Sequence, residues 1–212
     1  MQKTQKYLEQ LIPKSNDFMC SLEQYASEHR VPIMEKEGIH FLSQLIRLQQ
    51  PNTILELGTA IAYSALRMHE AAPNARITTL ERNDEMVAIA RKNVQLAEKE
   101  HAIKIMHADA FDALEQLTNE KKQFDFIFID AAKGQYKKFF TLVEPLLASN
   151  GIIVCDNVLF KGYVVDPSQT DNKRLQKLAK KIDTFNQWLM ANESYQTSLI
   201  PIGDGITISM KK

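Results

Sequence analysis

Three oxygen-bearing side chains stand where two apolar runs end. FDFIFID closes on Asp130, and GIIVCDN closes on Asp156 followed at once by Asn157. If those runs are neighbouring strands, about 4.8 Å apart, the three oxygens converge on one point. Two carboxylates and an amide, with no thiolate or imidazole near them in sequence, suit a hard divalent cation such as Mg2+ better than zinc. A lone aspartate at a strand end is commonly a cap or turn residue; it is the pair at matched ends that points to a ligand set. Lys133, just beyond Asp130, has two readings. Its amine enters the same place as a base or a fixed positive charge, or it is a solvated lysine opening a helix.

A second set of candidates lies at the ends of three earlier runs. TILELGTAIAYSALRM reads as strand, glycine turn and helix, an arrangement that brings a ligand against backbone at a helix start. The dinucleotide spacing G-x-G-x-x-G fails here, because around Gly58 the other two positions are Glu56 and Ile61, or Ala60 and Tyr63. Glu56 beside the turn would repel a pyrophosphate and attract an ammonium or sulfonium. S-adenosylmethionine carries both cations, so it is the better candidate and a nicotinamide dehydrogenase is disfavoured. RITTLE ends in Glu81, whose carboxylate can accept from two ribose hydroxyls with either cofactor. IKIMHADA ends in Asp109 and Ala110, an acceptor and a small residue where an adenine could rest; Asp109 equally reads as the cap of a helix beginning near Phe111.

These residues need a scaffold that brings strand ends together. Up to about residue 50 the apolar positions recur at helical spacing, as in Tyr7, Leu8, Leu11, Ile12 and Phe41, Leu42, Leu45, Ile46, with Pro13 and Pro32 as breaks. From Thr53 short apolar runs alternate with helical stretches, the pattern of a parallel sheet covered on both faces. SYQTSLIPI and GITISM, joined through Gly203-Asp204-Gly205, read as a closing hairpin. The expected fold is a Rossmann-like, doubly wound α/β sheet of seven strands, mostly parallel with an antiparallel last strand. N-terminal helices over 1–50 pack on it, and all 212 residues form one domain. In such sheets ligands bind beyond the carboxyl ends of the strands. The formal net charge of zero gives no overall field for nucleic acid or anionic lipid. No run approaches the ~18 apolar residues of a membrane span, and MQKTQKYLEQ lacks the apolar core of a signal peptide. Cys20 and Cys155 form no CxxC, which suits a reduced cytoplasm.

Together these residues resemble the metal-dependent class I O-methyltransferases, the caffeoyl-CoA and catechol O-methyltransferase group. The likeness runs nearly end to end, through VPIMEKEGIHFLSQL, ILELGTAIAYSA, FIFIDAAKGQY, VCDNVLFKG and PIGDGITIS. Within the group, DNVLFKG and PIGDGI are most similar to the bacterial branch that includes the tRNA 5-hydroxyuridine methyltransferase. The resemblance implies that Asp130, Asp156 and Asn157 bind the metal. It implies that Ile33, Glu56, Gly58, Ser64, Glu81, Ala110 and Asp130 surround S-adenosylmethionine, and that the protein is a homodimer. Two positions depart from the pattern. Ala62 stands where the loop commonly has a further glycine, and Ala132 where an aspartate is usual. The first adds a methyl group to the turn. The second removes a carboxylate near the metal, so plant-type substrate preferences do not carry over.

The substrate this implies is 5-hydroxyuridine at the tRNA wobble position, methylated to 5-methoxyuridine. Its 5-hydroxyl and neighbouring carbonyl oxygen match the two oxygens of a catechol, so small catechols or phenols are the alternative. A bound divalent cation lowers the pKa of such a hydroxyl, with Asp130 and Lys133 as the catalytic residues beside it. A catalytically silent RNA-binding domain is the non-enzyme alternative. DNKRLQKLAKKIDTFNQWL puts Leu175, Leu178, Ile182, Phe185 and Leu189 on one helical face. Lys173, Arg174, Lys177, Lys180 and Lys181 lie mostly on others. With Lys133, Lys137, Lys138 and Lys161 they form either a patch that meets phosphates of a tRNA anticodon loop or a solvated face.

Overall fold

The structure, a computed structural model, describes residues 2–212, with side chains from Tyr7 onward. Three helices lead the chain: α1 (Gln2–Leu11), α2 (Asp17–His29) and α3 (Lys36–Gln49). Pro13 and Pro32 fall between them, where a residue without an amide hydrogen interrupts no helical ladder. Asn16 caps α2, its side chain accepting from the Met19 amide. The apolar face of α3 buries Ile39, Leu42 and Ile46.

The alternating part follows as β1 (Thr53–Leu57), α4 (Tyr63–Ala71), β2 (Arg76–Glu81), α5 (Asp84–Leu96), β3 (Ile103–His107), α6 (Ala110–Asn119), β4 (Phe124–Ile129), α7 (Tyr136–Val143) and β5 (Leu147–Cys155). The chain ends with α8 (Lys173–Met190), β6 (Tyr195–Ile200) and β7 (Ile206–Lys211). The seven strands stand in the order β3-β2-β1-β4-β5-β7-β6. Strands β1 to β5 pair in parallel, and β7 runs antiparallel to both β5 and β6. The last strand is therefore antiparallel as expected, but it is inserted beside β5 and leaves β6 at the edge.

Both faces of the sheet are covered, which explains the nearly continuous apolar runs. On one face Ile54, Phe126, Phe128, Ile152 and Val154 pack with residues of α2 to α5. On the other, Leu55, Leu57, Ile127, Ile129 and Ile153 pack with α6, α7 and α8. Phe126 and Phe128 are fully buried, each contributing about 1.5–3 kcal/mol by leaving water. Ile182, Phe185 and Leu189 of α8 belong to the second core, and Leu175 and Leu178, partly buried, pack against it. Among the described residues no helix is long and apolar enough to cross a membrane. Between β1 and β4 the chain direction of winding reverses, the point at which open α/β sheets present a crevice.

Candidate active site

The strand register decides where the oxygens go. Leu57 pairs with Ile129, and Ile129 with Cys155. The ladder then runs one residue further: the Asp130 amide donates to the Leu57 carbonyl at 2.9 Å and the Asp156 amide to the Ile129 carbonyl at 3.1 Å. Asp130 and Asp156 are thus neighbours at the carboxyl edge of the sheet. Asp156 is buried and Asp130 partly so. Burial pushes both carboxyls above the usual range, and their mutual repulsion adds to the rise at Asp156, while the Lys133 charge works against it at both. Asn157 follows in left-handed backbone, φ 58°, its amide donating to Asp156 Oδ1 at 2.7 Å. The Lys133 ammonium donates to Asn157 Oδ1.

Lysine, amide and two carboxylates therefore come together as the sequence suggested, and Lys133 also opens a short 3-10 turn. The donor set fits a hard cation. A carboxyl withdrawn from water keeps its proton unless positive charge approaches, and the side chain drawn in beside this pair is an ammonium. Among the described residues no cluster of three or more His, Cys, Asp or Glu side chains arranged to hold a metal occurs; the third oxygen here is an amide.

Next to this cluster is a cavity of about 540 Å3, within the range of small-molecule sites. Of the predicted residues, Ile33, Gly58, Glu81, Asp109, Ala110, Asp130, Lys133 and Asn157 line it. Asp109 Oδ1 accepts from the Phe111 amide at 2.9 Å and caps α6, and the residue also borders the cavity. Glu81 accepts from the Arg82 and Asn83 amides on one oxygen and from the Ala60 amide on the other. This staples the glycine turn to the tip of β2. Phe111, Phe139 and Met86 also line the cavity; nothing in their spacing distinguishes them from core residues.

Glu56 and Ser64, expected around the methyl donor, are not among the residues that line the cavity. Successive side chains of β1 alternate between faces, so Glu56 shares the face of Ile54 and points toward α4. It is fully buried. Its carboxylate accepts from the Ser64 hydroxyl on one oxygen and from Thr79 Oγ1, at 2.6 Å, on the other. Asp156 also lies behind the lining and reaches it through Asn157.

Burial pushes the Glu56 carboxyl up from 4.5 to about 8, against the lowering effect of its two hydroxyl donors. A carboxyl raised on folding stays protonated where the unfolded chain has already lost its proton. Its contribution to stability therefore falls as pH rises from 4.5 to about 8. Glu56→Gln, neutral at every pH, is expected to make the decline in unfolding midpoint across that interval shallower. Urea titrations at its two ends check this; an unaltered decline would place the titration elsewhere.

A second, larger cavity of about 890 Å3 shares Phe111, Lys133 and Gln135 with the first. Its lining includes Lys133, Lys137, Lys138 and Lys181 and no acidic residue. The structure so divides the predicted basic residues, because Lys161, Lys173, Arg174, Lys177 and Lys180 lie outside that lining.

Comparison with known proteins gives a consistent set. A family model described as O-methyltransferase matches residues 9–212. A catechol O-methyltransferase of Niastella koreensis is 32% identical over 97% of this chain and 95% of its own. A crystal structure from Staphylococcus aureus superposes with a TM-score of 0.90 at 36% identity, covering 99% of both chains. An O-methyltransferase from Bacillus cereus, solved in complex with SAH, has a TM-score of 0.84 at 26% identity, covering 99% of this chain and 97% of its own.

Proposed function

The chain belongs to the O-methyltransferase family, and from that premise we propose that it methylates the 5-hydroxyl of 5-hydroxyuridine at the tRNA wobble position. The methyl donor is S-adenosylmethionine, and Mg2+ is held by Asp130, Asp156 and Asn157. One observation carries this reading: Asp130, Lys133 and Asn157 border the same cavity as Gly58, Glu81 and Asp109. A methyl donor lying along the strand tips would there meet a hydroxyl at the oxygen cluster.

The glycine turn at Gly58 admits the donor against backbone, Glu81 accepts from its ribose hydroxyls, and Asp109 with Ala110 receives the adenine. Ile33, from the segment before α3, also lines the cavity. Glu56 and Ser64 lie one layer beneath, and a cation in the cavity favours the ionised form of Glu56. A divalent cation, when bound by the three oxygens, supplies a lowered pKa for a substrate hydroxyl. Lys133 keeps positive charge beside the oxygen that becomes anionic, or takes up its proton. In the transfer the oxygen–carbon bond forms as the sulfur–methyl bond breaks, and the sulfonium becomes a thioether. Because opposite charges neutralise each other, the residues contribute chiefly by alignment and exclusion of water.

The lysine-lined cavity beside the site supports an RNA substrate, since phosphates are met by lysines without competing carboxylates. The catechol O-methyltransferase relative favours a second reading, a small catechol. Purified protein with S-adenosylmethionine is to be given hypomodified tRNA or catechol, with and without chelator. The expected outcome is 5-methoxyuridine in digested tRNA, abolished by chelation. Methyl transfer to catechol with none to tRNA would leave the second reading standing alone.

A further inference from the structure

We infer that Tyr136 and Asn186 are positioning residues which clamp the backbone on either side of Asn157 and so hold its side-chain oxygen in the metal-binding corner. The inference rests on reading Asp130, Asp156 and Asn157 as that corner. After β5 the chain reverses abruptly, and Asn157, Phe160 and Lys161 take left-handed backbone with φ of 58°, 46° and 56°. Residues with a Cβ disfavour that region, and they remain in it only where the surroundings over-determine the conformation.

Two sets of bonds do so. The turn between β6 and β7 fastens the far part of the reversal: the Val158 amide donates to the Gly205 carbonyl at 3.0 Å, the Leu159 amide to the Asp204 carbonyl at 2.7 Å, and the Lys161 amide to Asp204 Oδ1 at 2.9 Å. The near part is fastened from the helices. The Tyr136 hydroxyl donates to the Asp156 carbonyl at 2.8 Å, and Asn186 Nδ2 to the Val158 carbonyl, also at 2.8 Å. These two carbonyls flank Asn157, whose side-chain oxygen meets Lys133.

Packing alone does not call for either polar group. The Tyr136 ring is buried against Phe185, centroids 5.5 Å apart, and a phenylalanine would fill the same space. Asn186 sits in the buried stripe of α8 with Ala179, Ile182, Phe185 and Leu189, where an apolar residue is the ordinary occupant. Burying an amide is costly unless it is hydrogen-bonded. Yet among the described residues the Asn186 Oδ1 finds no partner, so the polar side chain is kept for its one bond to the reversal.

The test is Mn2+ binding to the full-length chain, followed by electron paramagnetic resonance, for wild type, Tyr136→Phe, Asn186→Leu, Asn157→Ala and each clamp variant combined with Asn157→Ala. Each clamp variant is expected to remain folded by circular dichroism and to bind Mn2+ about tenfold more weakly, as removal of an outer partner of a ligand does. In the Asn157→Ala background neither should weaken binding further, because the clamp acts through that residue. Undiminished affinity in the single variants, or an equal loss with Asn157 absent, overturns the clamp while leaving the metal reading intact. A wild-type protein that binds no Mn2+ overturns both.

Discussion

Asp156→Asn is expected to make the protein slower and, without metal, more heat-resistant. The loss should be large. A divalent cation acting on a hydroxyl contributes several kcal/mol to a transition state, and each 1.4 kcal/mol is about tenfold in rate. Turnover should therefore fall by about three powers of ten when one of two carboxylates is neutralised. The gain in stability follows from the same side chain. Burial and repulsion from Asp130 hold the Asp156 carboxyl well above its ordinary range, so at neutral pH the metal-free folded state must take up a proton that the unfolded chain has already released, at a cost in stability. The amide retains an oxygen for the Asn157 amide hydrogen and removes the repulsion. Binding of S-adenosylmethionine should persist, because Asp156 lies outside the cavity lining. Initial rates, calorimetric titration of the donor, and thermal scans in chelator give the three readouts. Opposite signs for activity and stability mark a residue kept for function. Rate and Tm falling together would instead make Asp156 a structural residue.

The strand tips were readable in advance because a parallel sheet buried on both faces leaves long apolar runs, and a carboxylate at the end of such a run stands out. Whether Asp130 and Asp156 meet depended on β4 and β5 being neighbours, and the pairing of Ile129 with Cys155 makes them so. The direction of Glu56 was not readable. On a strand buried on both faces no polar alternation marks which way a side chain points, and its partners Ser64 and Thr79 lie on other elements. The Tyr136 and Asn186 bonds span 20 and 28 residues, so no local spacing announces them. Similarly, helical periodicity separates the lysines of α8 from its apolar face, but only the docking of α8 beside α7 brings Lys181 to the cavity of Lys137 and Lys138. The insertion of β7 between β5 and β6 has the same cause. A hairpin is a local signal, and the choice of which of its strands meets the sheet is a tertiary one.

Gly58→Ala tests the glycine turn on which the cavity depends. Gly58 has φ +104°, and a Cβ added there would lie 2.0 Å from the Asp130 carbonyl oxygen and 3.0 Å from its carbon. Those atoms are backbone in the sheet's ladder, so no rotamer change relieves the clash, and the tips of β1 and β4 would have to separate. Overpacking costs about 1–3 kcal/mol, and unfavourable positive-φ backbone about 1–2 kcal/mol more. A loss of about 2–5 kcal/mol is a large share of the roughly 5–15 kcal/mol that holds a protein folded, and it corresponds to a Tm lower by roughly 10 °C. The displaced backbone belongs to Asp130, so the surviving folded fraction should bind neither S-adenosylmethionine nor Mn2+ at wild-type affinity. Ala62 shows why the objection is one of space as well as conformation. It too has positive φ, 66°, and it carries its methyl within the core, where the turn has room for one. Gly58 has none, because Asp130 follows it across the ladder. An unchanged urea midpoint with intact donor binding would mean that the turn relaxes freely, and the close approach of β1 to Asp130 would then not be what shapes the site.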